Sequence, residues 1–278
     1  MIYIFAVLAG LILAIFLCIY INPGPKVTHG PEGKWLVQRP IAHRGFHDIE
    51  AGVPENSLLA ARRAMERGYA IELDVLNTAD NQVVVFHDYN LKRMTGVDAK
   101  VKDVTWQQIQ QLKLLGTDES IPSLAQFLEL VAGRVPLLIE VKNEGAVGPL
   151  EQAIIDALRG YPGDFAIQSF NPFVMQYFRK HAPEFVRGQL SSNFKGESLA
   201  WWKKFLLRNL LLNAISQPEV VAYDFGKLPK WFARRLRKKG YYLLTWTVRS
   251  REEYAEAMKT FDNVIFEGFE IDEKAVNL

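Results

Sequence analysis

The chain has 278 residues, a formal net charge of +2 and 49% hydrophobic residues. That size suits one large α/β domain or two small ones, and the near-neutral balance argues against nucleic acid or any strongly charged partner. Its one cysteine, Cys18, lies in an apolar leader, so the rest of the chain has neither a disulfide nor a thiolate metal site.

The apolar leader, residues 2–21, has no charged side chain, and its length is close to the ~20 residues a helix needs to cross the hydrocarbon core. A cleaved signal peptide would want a basic start and a small-x-small cleavage site. No Lys or Arg precedes the run, and Ile19-Tyr20-Ile21-Asn22-Pro23 is a poor cleavage site. We therefore expect one uncleaved transmembrane anchor over 1–22 and a linker over 23–34 that starts at Pro23-Gly24-Pro25. A folded domain over 35–278 comes next. Lys26, Lys34 and Arg39 come after the apolar run, so the positive-inside rule predicts a single-pass cell-membrane protein with its domain in the cytoplasm.

From residue 35 onward, strand-like runs alternate with helical patterns. Strands are expected over 41–44, 70–75, 136–142, 165–168, 186–190, 220–223, 242–247 and 264–266. Helices are expected over 57–68, 123–131, 150–159, 172–180, 199–215, 229–239 and 251–259. The run Val83-Val84-Val85-Phe86 comes too soon after the second strand for a parallel crossover, which needs roughly a dozen residues or more. It reads instead as the return arm of a hairpin. Eight β/α units then remain, the pattern of a (β/α)8 TIM barrel, with residues 89–122 as a small insertion after the second strand. In such barrels the site lies at the strands' C-terminal ends. His43, Arg44, Glu72, Asp74, Glu140 and Lys142 all fall there.

Glu72 and Asp74 are two residues apart in a strand, so both point to the same side. Carboxylate oxygens are the ligands that hard divalent cations prefer. Two histidines, His43 and His87, suit acid–base work near neutral pH. Arg44 and Lys142 suit the stabilisation of phosphoryl charge, one as a fork and one as a point charge.

Five motifs occur in one order: His43-Arg44-Gly45, Pro54-Glu55-Asn56-Ser57, Glu72-Leu73-Asp74-Val75, Val84-Val85-Phe86-His87-Asp88 and Ile139-Glu140-Val141-Lys142. Together they resemble the glycerophosphodiester phosphodiesterases, from about Pro40 to the C-terminus. Gln168-Ser169-Phe170-Asn171 and Thr245-Trp246-Thr247-Val248 extend the likeness. The resemblance implies a metal-dependent TIM-barrel hydrolase that cleaves glycerophosphodiesters to glycerol 3-phosphate and an alcohol. It implies His43 as general base, His87 as general acid, and Glu72, Asp74 and Glu140 as ligands of one Mg²⁺ or Ca²⁺. It also implies Arg44, Lys142, Asn171 and Trp246 as substrate contacts. Glu55 has three readings: a fourth metal ligand, a contact to a substrate hydroxyl, or a cap for the following helix. His47 and Asp48 read as an exposed loop.

Two departures from the family pattern stand out. Arg249 follows Val248 where many relatives carry Asn, and Phe266-Glu267 stands where relatives usually end in Thr-Asp. Both are expected to bear on specificity, leaving the hydrolytic core alone. Residues 199–215, rich in Trp, Leu and Lys, read as a barrel-packing helix or as a helix touching the bilayer surface. Other functions weighed are a lysophospholipase D-type hydrolase on lysophospholipids, a phosphoinositide-type phospholipase C, and a dead barrel that only binds.

Overall fold

The structure, a computed structural model, describes residues 2–21 and 33–271. Most of the expected linker therefore lies outside the described residues. Eight parallel strands form the barrel: β1 (Ile41–Ala42), β2 (Ala70–Asn77), β4 (Leu137–Val141), β5 (Phe165–Ser169), β6 (Val186–Ser191), β7 (Val220–Asp224), β8 (Tyr242–Val248) and β9 (Asn263–Phe266). β1 closes the ring by pairing with both β2 and β9. β3 (Val83–Val85) runs antiparallel to the end of β2, with Val85 opposite Val75. This is the return hairpin expected from the short connection.

Period-two alternation decides which side chains enter the barrel. On β2, Ile71, Leu73 and Val75 face the helices, while Ala70 lies in the barrel's inner core. Glu72 and Asp74 share Ala70's parity and so point inward. On β4, Leu138 is inward and Glu140 comes two residues later on the same side. The short helix Trp35–Gln38 closes the floor, with Trp35 and Leu36 packed on Ile41, Ala70 and Leu138.

Within residues 89–122 a small cluster forms in which Leu91, Met94, Val101 and Ile109 join Leu76 and Phe86. The helix Trp106–Ile109 starts at Thr105, paired with Gln108 in a capping box.

Two expectations need correction. The first strand stops at Ala42 because Arg44 and Gly45 adopt positive φ (53° and 78°) and turn the chain. The helix expected over 199–215 is split into Trp201–Arg208 and Asn213–Ser216. Leu210, at φ 55°, ends the first piece. The Leu210 N–H bonds the Leu207 carbonyl and the Leu211 N–H bonds the Leu206 carbonyl, the paired closure of a Schellman motif.

Residues Ile2–Ile21 form a helix where the sequence puts the anchor. Of its side chains, only those within Tyr3–Leu13, without Ala6, are described. Among the described residues no helix is long and apolar enough to cross a membrane.

Candidate active site

The loop after β1 is shaped to close over the inward carboxylates. Gly45 is required there: a Cβ would sit 2.8 Å from that of Ala60. The Arg44 backbone N–H donates to Glu72 Oε2 at 2.9 Å. Asn56, also at positive φ, donates from Nδ2 to Asp74 Oδ2 at 2.9 Å and accepts from the Asp74 N–H. Ser57 caps the helix Leu58–Glu66 by accepting from Ala60 N–H, so Glu55 is not that cap. Instead, Glu55 Oε1 accepts from Arg44 Nη1 at 2.7 Å and from Arg93 Nη2 at 2.6 Å, and its Oε2 accepts from Arg93 Nη1 at 3.0 Å.

Asp74 sits directly across the ladder from Glu140. Glu72, Asp74 and Glu140 each offer an oxygen within 4.8 Å of the others. Lys142 Nζ stands 3.4 Å from Glu140 and 3.7 Å from Asp74. The three acids respond differently to this crowding. Burial and repulsion from Asp74 and Glu140 push the Glu72 carboxyl far above its usual range. Burial also raises Glu140, to about 7, against the pull of Lys142. Burial works upward on Asp74 too, but the charges of Lys142, His87 and Arg44 outweigh it and hold Asp74 below its usual value. Three buried carboxylates that repel one another, all hard oxygen donors, make a set that suits a divalent cation. Glu55, clamped by two guanidiniums, stands outside it.

Each histidine has its Nδ1 on a carboxylate. His43 Nδ1 lies 2.5 Å from Glu267 Oε2, across the barrel seam. His87 Nδ1 lies 2.5 Å from Asp88 Oδ1. A carboxylate only accepts, so each Nδ1 carries the proton and each Nε2 is left as the reactive atom. Arg249 Nε donates to Glu267 Oε1 at 2.8 Å, and Arg93 Nε donates to Asp88 Oδ2 at 2.6 Å. Burial lowers both imidazoles below their ordinary value despite these acids. Burial works upward on Glu267, but the hydrogen bond from His43 and the neighbouring His47 and Arg249 outweigh it and hold it far below the carboxylate range.

His47, expected on an exposed loop, turns inward. Its Nε2 is 3.6 Å from Glu267 Oε2. His43, His47 and Glu267 are also close enough together to suggest a ligand group. However, His43 Nδ1 carries the proton that it donates to Glu267, so it has no lone pair left for a cation.

Asn171 is the N-cap of helix Pro172–His181, its side-chain oxygen accepting from Phe173 N–H at 3.0 Å. Trp246 is half-buried, edge-on to Phe170 at 5.5 Å, with Nε1 donating to the Ala222 carbonyl. A cavity of about 620 Å³ opens beside His87, lined by Tyr89, Lys92, Arg93 and Lys142 among others. Sequence reasoning missed Arg93 and the role of Glu267. Arg93 lies in the insertion, outside every motif. Glu267 was read as a specificity position, but it touches the His43 ring and belongs to the centre of the site.

A parallel barrel with clustered carboxylates between two histidine–carboxylate dyads at its mouth defines a hydrolase of phosphoric diesters. Known proteins agree. The model of the glycerophosphoryl diester phosphodiesterase family matches residues 43–274, and the chain belongs to that family. A glycerophosphodiester phosphodiesterase of Caldanaerobacter subterraneus subsp. tengcongensis is 32% identical over 232 residues, which cover 79% of this chain and 89% of that protein. A lysophospholipase D of Rattus norvegicus is 30% identical over 170 residues, covering 56% of this chain and 47% of that one. The fold is shared with an Oleispira antarctica phosphodiesterase solved with the product sn-glycerol 3-phosphate (TM-score 0.70, 22% identity, 84% of this chain and 94% of that one).

Proposed function

We propose that the chain is a single-pass, membrane-anchored phosphodiesterase. It hydrolyses glycerophosphodiesters to glycerol 3-phosphate and an alcohol, with its domain on the cytoplasmic side. The observation that carries the chemistry is the carboxylate cluster flanked by two oriented imidazoles. Glu72, Asp74 and Glu140 would hold one Mg²⁺ or Ca²⁺, which when bound supplies a Lewis acid for a phosphoryl oxygen. Arg44 and Lys142 stabilise the charge that grows on the phosphoryl oxygens. His43 Nε2, neutral because burial depresses the ring, takes the proton of the attacking water as general base. His87 returns a proton to the departing alcohol. Glu55 does not contact the substrate on this reading: it fixes Arg44 and Arg93. Asn171 and Trp246 line the mouth, Trp246 packing on substrate carbons. The anchor on this reading is argued from the sequence alone: residues 2–21 form a run of apolar character without a charged side chain.

A second reading, hydrolysis of lysophospholipids, is favoured by the exposed Trp201 and Trp202 and by the relative named lysophospholipase D. The test is product release by the full chain from glycerophosphoethanolamine, glycerophosphoglycerol and lysophosphatidylcholine, with and without EDTA. We expect release from at least one, abolished by EDTA. No release from any of them sinks the proposal.

A further inference from the structure

The helix Trp201–Arg208 buries none of its residues. The packing task of this β/α unit falls to the residues after it: Leu210 and Leu211 are buried, and Asn213–Ser216 packs on helix Pro172–His181. The first piece is thereby left free, with Trp201 80% and Trp202 49% exposed. Its end is tied to the barrel mouth, since the Leu207 carbonyl accepts from Ser191 Oγ and the Arg208 carbonyl from Tyr223 Oη. Phe173 and Trp231, also exposed, occupy the second position of the helices after β5 and β7. β5, β6 and β7 are neighbours. The exposed aromatics therefore form one arc of the mouth rim. Inside that arc, Phe170 packs edge-on to both Phe194 and Trp246. An aromatic wall thus continues from the rim toward the site.

Cations outnumber acids around this arc, whose acidic members are the exposed Glu197 and the partly buried Asp224. No acidic residue lies between Glu197 and Glu219, while Lys195, Lys203, Arg208 and Lys227 are exposed. Lys203 Nζ stands 5.4 Å over the Trp202 ring. Indoles interleaved with cations match an anionic lipid surface, where the ring sits at headgroup level and the cation meets phosphate. We infer that this arc of the rim docks the barrel mouth on an anionic phospholipid membrane, so that amphiphilic phosphodiesters enter the site from the bilayer. The inference rests on the phosphodiesterase reading above.

The chain allows it. The proposed anchor would join the domain at its floor, where the described chain begins again just before Trp35. The eleven residues 22–32 span up to ~36–40 Å when extended. The longest strand, with eight residues, is only ~27 Å long, so the domain can tip its mouth onto the bilayer that holds its anchor.

The test uses full-length protein in phosphatidylcholine vesicles containing phosphatidylglycerol. Two substrates are compared: lysophosphatidylethanolamine in the vesicles and glycerophosphoethanolamine in water. For W201S/W202S we expect a roughly tenfold loss on the vesicle substrate, from two exposed indoles leaving the lipid. The soluble substrate should keep its rate within about twofold, as distant surface changes usually allow. K203E/K204E, and deletion of residues 25–30, should show the same split. The inference is overturned by variants whose rates on both substrates match the wild type's, by equal losses on both, or by a dimer of the wild type that W201S/W202S dissociates in sedimentation. A wild type active on glycerophosphoethanolamine alone also overturns it. A wild type active on neither substrate defeats the phosphodiesterase reading instead.

Discussion

The two histidine–carboxylate–arginine groups at the mouth are chemically alike and built in opposite ways. His87, Asp88 and Arg93 lie within one short stretch, so their contacts need only the hairpin and the insertion. His43 and Glu267 are 224 residues apart and meet only because β1 pairs with β9 to close the ring. One dyad is a local element, and the other is a product of barrel closure. They also differ in what lies behind them. Arg93 grips Glu55 as well as Asp88, and Glu55 grips Arg44, so the local dyad is wired to a phosphate-binding residue. The Glu267 dyad is backed by Arg249, which is largely exposed.

The largest effects should come from the imidazoles themselves. His43→Ala and His87→Ala should each lower kcat/KM by roughly 10²–10⁴, the usual worth of general acid–base groups. A p-nitrophenyl phosphodiester separates their roles, because its leaving group needs no proton. It should restore most of the His87 variant's rate and little of the His43 variant's. The wild-type pH profile should change as well. His87 loses its proton below the ordinary imidazole range, so activity on alkyl esters should fall as pH rises through that point. On the p-nitrophenyl ester that alkaline limb should vanish, leaving the acidic limb set by His43. Rescue of the His43 variant would reverse the assignment of base and acid.

One step smaller are the carboxylates. Glu267→Gln removes the acceptor that fixes the His43 tautomer and should cost on the order of 10²-fold in kcat, the upper end for a carboxylate that orients a working imidazole. Asp88→Asn should cost on the order of tenfold, since Asp88 is less buried and its neighbour Arg93 keeps its hold on Glu55. Equal losses for the two would mean that the cross-barrel dyad gains nothing from its longer route.

The same contrast explains what could be read in the sequence. Glu72 and Asp74 were legible because strand alternation fixes their side, and His87 because so short a connection after β2 cannot make a parallel crossover. The Glu267–His43 contact was not, since nothing local links positions so far apart. A carboxylate ending the last strand, at the same rim as a histidine ending the first, was the available signal. Arg93 sits among ordinary turn and helix residues of the insertion, where no pattern marks it. The split after Arg208 was hidden because Leu210 takes a left-handed conformation that glycine usually announces.

Between the dyads, the metal cluster gives a test on stability. The folded-state values of Glu72 and Glu140 are raised, Glu140 to about 7. A folded state that holds protons the unfolded state has released loses stability as pH rises through about 7 and regains it below. Protein treated with EDTA should therefore melt lower at pH 8 than at pH 6. A divalent cation replaces those protons and should restore about 2.7 kcal/mol at a hundredfold excess over Kd. Glu140→Gln should flatten the pH dependence. A melting temperature in EDTA that ignores pH would defeat the cation assignment.

The smallest expected effect separates the two arginines. The Arg249–Glu267 pair is exposed on its cationic side, and such pairs contribute about 0–1 kcal/mol. Arg249→Asn should leave the melting temperature nearly unchanged and lower kcat/KM only a few-fold, because Glu267 keeps its bond to His43. High salt screens exposed charges, so the wild type and this variant should converge as ionic strength rises. Arg93→Ala, which frees Asp88 and Glu55 together, should cost more and should not converge. If Arg249→Asn instead fell as far as Glu267→Gln, the exposed arginine would be holding the carboxylate in place. The cross-barrel dyad would then depend on its rim as the local dyad depends on Arg93.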